Sequence, residues 1–356
     1  MSASGGERQG GERQGGERQS FTHRPGEFLA ALLQDQPSLD ATASTAVEAR
    51  AANVLRPQGA FARLDSVAGW LAGWQATTKP QVKRPHVIVF GADHGVATDG
   101  VSAYPQEVTA AIAAAIEAGV ATVSVLARHV GATLDLVDVG IGRPTANIRL
   151  SDAMSPEEFD EAVAAGADSV ASALTKADLL IVGEIGIANT TSAAAVAAAA
   201  LGGAADDWVG PGTGVAGSAL THKRDVVAEA LERVGAVTPL QALRRLGGRE
   251  LAALAGAVAE ARRRRLPVVL DGFIATAAVA PLAMAVSGSL DHCMAGHCSA
   301  EPGHQRVLQA LGLDPLMRLD LRLGEGSGAL LAVPMIAMAA ACVTEVATFA
   351  EWGLGQ

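Results

Sequence analysis

Three short apolar runs in this chain end alike, in a glycine and a carboxylate. RPHVIVF (84–90) runs into GADHG, ADLLIV (177–182) into GEIG, and LPVVL (266–270) into DGF. A fourth run, ATLDLVDVG (132–140), follows the first. Runs this short and β-branched read as strands, and apolar residues on both faces require cover on both faces. The intervening stretches supply that cover. YPQEVTAAIAAAIEAG reads as a helix with Pro105 in its first turn and Gly119 at its end. SPEEFDEAVAAGADSVASAL has Ser155 as N-cap, Pro156 next and two glutamates in the first turn. TTSAAAVAAAA and ATAAVAPLAMAVSG follow the third and last strands, and residues 26–75 also read as helical. Strands alternating with helices predict an α/β fold with a doubly wound parallel sheet. Ligands of such sheets bind beyond the carboxyl ends of the strands, where the three glycine–carboxylate turns stand.

The rest of the composition narrows the function. The chain has 356 residues, 49% apolar but only 3% aromatic, so its core must rest on close packing of small residues. A formal charge of −10 and a pI near 5.3 argue against nucleic acid as partner. Three cysteines are too few for a disulfide framework, and the N-terminus has no apolar signal core, so a cytoplasmic location is expected. The apolar run Gly328–Val343 contains Pro334 and reads as a buried helix shorter than a membrane span. Residues 1–20 repeat GGERQ with no apolar face, and a disordered tail is expected there.

Candidate sites gather at the strand ends. In GADHG, Asp93 and His94 either position a polar ligand or cap a loop. In GEIGIANTT, Gly186 lets the backbone approach a ligand. Asn189, Thr190 and Thr191 open a helix, where free N–H groups favour an anion, although one of them could simply be an N-cap. Glu184 is not explained by capping, since a carboxylate at a buried strand end needs a partner, and ribose hydroxyls would serve. In VGPGTGVAGSALTHK, the amides of Gly212, Thr213 and Gly214 with Lys223 could cradle a phosphate, or the loop could be merely flexible. Its spacing is not that of a nucleoside-triphosphate loop. HCMAGHCSAEPGH fits no common metal-ligand spacing, and SAEP reads as a helix start at Glu301 or Pro302. In RLGEGSGA, Glu325 stands between Gly324 and Gly326 with Arg322 upstream, and Ser327 alone would suffice as a cap. Arg262–Arg265 read as a solvated helix end.

Taken together, DHGVATDGVSAYPQEVT, GEIGIANTTSA, GTG with HK downstream, GGRELAALAGA, LDGFIATAA, SAEPGH and LRLGEGSGA resemble the nicotinate-nucleotide–dimethylbenzimidazole phosphoribosyltransferases. The resemblance spans roughly residues 85–350. It implies a Rossmann-like domain over 81–315 and a smaller helical domain from residues 21–80 and 316–356. It also implies a homodimer, no cofactor and no metal. By the same resemblance, Glu325 is the general base, Glu184 holds the ribosyl side, and Ser102, Tyr104 and Gln106 line the benzimidazole pocket. Lys223 and Arg322 handle the substrate's anionic groups, and Asp271 and Gly324 are further substrate-binding residues. Two positions depart from the family pattern: Ala188 stands where glycine is usual, and Pro211 where arginine is usual. The methyl of Ala188 would crowd the ligand, and Pro211 removes a phosphate contact. Three functional alternatives share these residues: transfer to another base, riboside hydrolysis, and a non-catalytic sensor.

Overall fold

A computed structural model of the chain describes residues 24–173 and 177–354; the repeat at 1–20 lies outside them. Five parallel strands form the central sheet: β1 (Pro85–Ala92), β2 (Thr133–Gly140), β3 (Leu179–Ile185), β4 (Val268–Leu270) and β5 (Cys293–Ala295). Their spatial order is β2-β1-β3-β4-β5. The chain leaves β1 toward one edge and then returns to β1's other side for β3. That reversal opens a crevice beyond the carboxyl ends of β1 and β3. Register places Phe90 beside Glu184 and Ile181 beside Val269, so the turns after β1, β3 and β4 are neighbours.

Alternation along the strands divides the core. Ile88, Phe90, Leu180, Val182 and Leu270 face one helical layer, where helices Pro156–Ala173, Asn189–Leu201, Arg249–Arg263 and Phe273–Ala285 pack. Val87, Val89, Leu179, Ile181 and Val269 face the other, built from Ala62–Gln75, Val108–Glu117, Thr122–Val130 and Ser327–Thr344. An early and a late segment of the described residues meet there. Val47, Ala51, Ala68, Ala72 and Val343 form a small core of their own.

Small residues let the helices approach closely. A Cβ on Gly166 would lie 1.8 Å from the Ala253 carbonyl oxygen, and one on Gly256 would lie 2.2 Å from that of Val163. Two helices thus touch backbone to backbone, the close approach on which a core poor in aromatic residues relies.

The structure corrects several sequence expectations. β2 is an edge strand whose Asp135 and Asp138 are exposed, so it is not apolar on both faces. The helix after β1 begins at Val108, because residues 105–107 form a separate turn whose Pro105 and Gln106 carbonyls accept from Val108 and Thr109. Ser155 does cap its helix: Ser155 Oγ accepts from Glu158 N at 3.2 Å, and the Glu158 carboxylate accepts in turn from Ser155 N at 2.9 Å. β5 falls inside the His/Cys-rich stretch, where the sequence reading placed no strand. Arg262 is not solvated: it is buried, lies over the Trp74 ring at 5.0 Å and donates to the Gly288 carbonyl. Helix Ser327–Thr344, with mean hydropathy 1.9, is long and apolar enough to cross a membrane, as is the segment Val108–Val130. The first instead covers β3 and helix Ala62–Gln75, and the second is two helices broken at residues 118–121.

Candidate active site

A cleft of about 470 Å³ lies beyond the carboxyl ends of β1, β3 and β4. That volume suits a small ligand. Its floor begins with Glu184, the penultimate residue of β3, whose side chain is buried and accepts a hydrogen bond from Asn189 Nδ2. Asn189 therefore spends its side chain on Glu184 and does not cap its helix. Burial above all, then the charges of Glu250 and Asp271, push the Glu184 carboxyl well above the usual carboxylate range; the Asn189 bond opposes them.

Glu325 enters the same cleft from a different loop. Gly324, Glu325 and Gly326 all have positive φ, at 94°, 63° and 84°. For the non-glycine residue this conformation costs on the order of 1 kcal/mol. The loop is held down at three points. Glu325 N donates to the Glu184 carbonyl at 3.2 Å, and Asp271 accepts from Gly326 N at 3.1 Å and from Ala329 N at 2.8 Å. Gly183 of β3 lies directly beneath, where a Cβ would come within 2.4 Å of the Glu325 carbonyl carbon. The Glu325 side chain is 7% exposed and accepts from Val123 N at 3.3 Å. Burial raises its pKa above the ordinary value, the Val123 bond lowers it, and the Asp271 charge raises it again.

A third group lies toward the helix Asn189–Leu201. Thr190, Gly212 and Thr213 line the cleft, and Lys223 Nζ stands just behind them, 2.8 Å from Thr190 Oγ1 and 3.1 Å from the Gly210 carbonyl. Burial lowers the Lys223 pKa to about 8, against the pull of Glu301. Tyr104, half exposed, closes one side, and Arg322 another.

The cleft thus brings together Glu184, Gly186, Asn189, Thr190, Tyr104, Gly212, Thr213, Arg322, Gly324 and Glu325 from four chain segments. Other candidates stand outside its lining. Asp93 accepts from Gly142 N at 2.7 Å and so ties two loops together. His94 is fully buried between Ser192 Oγ (2.9 Å) and Glu250 Oε1 (2.5 Å), beneath the cleft floor. Thr191 is buried inside its helix; Ser102 accepts from Tyr104 N, Gln106 sits in the turn before helix Val108–Glu117, and Gly214 lies farther along its loop. Asp271 has both oxygens committed to the start of helix Ser327–Thr344, so it caps that helix from the turn after β4; Ser327 Oγ instead donates to the Gly324 carbonyl at 2.6 Å. The sequence reading missed Glu301, His297 and Ser299, which all line the cleft, and the face made by Val108, Thr109 and Ile112. Glu301 read in the sequence only as a helix start; in the fold it makes no side-chain cap, and its carboxyl faces Lys223.

Ala188 behaves differently from expectation. Its methyl packs into the main core and not into the cleft, so it does not crowd a ligand. The departure acts on the backbone instead, because Ala188 has φ +73° at the start of its helix. Ala188→Gly is expected to leave stability within about 1 kcal/mol of the wild type, because the left-handed strain relieved is offset by the lost methyl burial and the extra entropy of an unfolded glycine. A urea midpoint shifted by more than that amount would contradict this.

With this geometry in view, the comparisons with known proteins are specific. The Phosphoribosyltransferase family model matches residues 36–354. The nicotinate-nucleotide–dimethylbenzimidazole phosphoribosyltransferase of Novosphingobium aromaticivorans is 49% identical over 328 residues, covering 92% of this chain and 96% of that protein. The chain belongs to the nicotinate-nucleotide–dimethylbenzimidazole phosphoribosyltransferase family. The Methylorubrum extorquens protein of the same name is 48% identical over 327 residues, covering 91% of this chain and 95% of that one. The crystal structure of the Thermus thermophilus nicotinate-nucleotide–dimethylbenzimidazole phosphoribosyltransferase superposes with a TM-score of 0.84 at 39% identity, covering 89% of this chain and 100% of that one. The parallel α/β sheet of this chain is therefore the fold of that structure.

Proposed function

We propose that this protein transfers the phosphoribosyl group of nicotinate mononucleotide to dimethylbenzimidazole, releasing nicotinate and forming the α-linked riboside phosphate used in the cobalamin nucleotide loop. The observation that carries this reading is the placement of two buried carboxyls, Glu325 and Glu184, in one cleft with an anion-ready helix start. One nitrogen of the benzimidazole attacks the anomeric carbon as the bond to the nicotinate nitrogen breaks, inverting that carbon. The attacked ring becomes cationic, so its remaining N–H is acidic, and Glu325 accepts that proton. The pyridinium of the donor leaves as neutral ring nitrogen and needs no acid. Glu184 holds ribose hydroxyls. The amides at 212–213, Thr190 and Lys223 receive the phosphate, and Arg322 pairs with an anionic group at the rim. Tyr104, Val108 and Ile112 offer the flat apolar wall that a benzimidazole requires. The chemistry then reduces to alignment and exclusion of water.

The location follows as cytoplasmic, and the assembly as a homodimer. Its support is an apolar surface: Leu331, Pro334 and Met338 form one exposed helical stripe, and Ala110, Ala111, Ala114 and Ala118 another. Only 28% of the most apolar window in Val108–Val130 is buried in a single chain, which leaves a face that water does not favour.

Acceptor dependence tests the function. Nicotinate release from nicotinate mononucleotide is expected to require dimethylbenzimidazole. Release at the same rate without the acceptor would identify a hydrolase, and binding without any release a sensor.

A further inference from the structure

We infer that Asp271 is a positioning residue for Glu325, acting through the start of helix Ser327–Thr344, with His297 as its counterpart on the other side. The inference rests on Glu325 being the base. Asp271 directly follows β4, on a rigid part of the sheet. Its Oδ2 accepts from Gly326 N at 3.1 Å and its Oδ1 from Ala329 N at 2.8 Å. Gly326 is the residue after Glu325, so the first of these bonds fixes the peptide that orients the base. The second ties the first turn of the helix to the same carboxylate. A carboxylate at a helix start also meets the positive end of the dipole. The clamp is needed because Glu325 holds a left-handed φ of 63° that its own residue type disfavours.

His297 completes the arrangement. It is 3% exposed and lines the cleft, neither ring nitrogen makes a hydrogen bond, and Nε2 lies 3.3 Å from Asp271 Oδ1. The ring is wedged against Gly328, where a Cβ would come within 2.2 Å of it. Asp271 is therefore boxed between the imidazole and the two amides and has little freedom to turn. The other titratable groups around the pair are Glu184 from β3, Glu250 behind it, His304 edge-on to the His297 ring at 5.9 Å, and Glu301 and Arg322 across the cleft. Asp271 thus does two things at Glu325: it holds the backbone, and it places a negative charge that disfavours ionisation of the base.

The two effects separate in Asp271→Asn, which keeps the shape but loses the charge and one acceptor. Turnover is expected to fall about tenfold with the donor KM little changed, since misplacement of a reacting group acts on the chemical step. The acidic limb of turnover against pH is expected to move to lower pH, because a like charge beside Glu325 is gone. Hydrogen exchange at the amides of Gly326 and Ala329 is expected to quicken. A fall in turnover with the acidic limb in place would mean a merely structural role and overturn the inference, as would unchanged turnover. Should the variant not fold, the unaltered protein still decides: those two amides must exchange slowly, and exchange at the rate of exposed loops would refute the clamp. A failure of the base assignment is seen separately, as Glu325→Gln with full turnover, while the exchange measurements continue to report on Asp271.

Discussion

Glu325→Gln is expected to lower turnover by about a hundredfold or more, the usual worth of a positioned general base. Gln keeps the size and can still accept from Val123 N, so the loop has no reason to move. What it loses is the ability to take a proton. Only the ionised carboxylate can do so, and burial holds the Glu325 pKa above the ordinary glutamate value. Wild-type turnover should therefore be full above that raised pKa and decline as pH falls through it, earlier than an exposed glutamate would dictate. The raised value also brings the base nearer in proton affinity to the medium in which it works, which favours transfer. In Glu325→Gln the residual rate should be flat across the same limb. Turnover against pH for both proteins checks this, and an unchanged acidic limb in the variant would assign the base elsewhere.

The crevice was legible before the structure because three strand ends carried the same unusual chemistry, although of their three carboxylates only Glu184 lines it. Apolar runs with a terminal carboxylate predict a parallel sheet and, beyond it, a polar crevice; Glu184 and Glu325 share that crevice. What remained illegible depends on which neighbour satisfies which polar group. Asn189, Asp271 and His94 each looked able to meet a ligand. In the fold, Asn189 serves Glu184, Asp271 serves a distant helix start, and His94 joins Ser192 to Glu250. Their partners lie 5, 55, 98 and 156 residues away along the chain, and the longer of these separations cannot be read from local pattern. Short β5 escaped for a related reason. Three residues give too few positions to show a period, and only pairing with β4 makes Cys293–Ala295 a strand.

Gly183 is where sheet and chemistry meet most tightly, and its replacement should be felt in both. The residue lies within β3, paired with Val89 of β1, where any amino acid could adopt the backbone angles. Glycine is required there by what lies above it. A Cβ would stand 2.4 Å from both the Glu325 carbonyl carbon and Gly326 N, and 2.5 Å from the Glu325 carbonyl oxygen. These are all backbone atoms, so no side-chain rotation relieves the overlap. Either β3 sinks or the loop lifts, by about 1 Å in order to reach ordinary contact. The loop is the softer of the two, and lifting it strains the Asp271 bonds and carries the base away. Gly183→Ala is expected to destabilise the protein by about 1–3 kcal/mol, as overpacking does. Turnover should fall by about a hundredfold, the effect of a 1 Å misplacement at a reacting group. Because the loss is routed through Glu325, the double variant with Glu325→Gln should turn over no more slowly than Glu325→Gln alone. Additive losses in that cycle, or wild-type turnover in Gly183→Ala, would show that the strand does not set the position of the base.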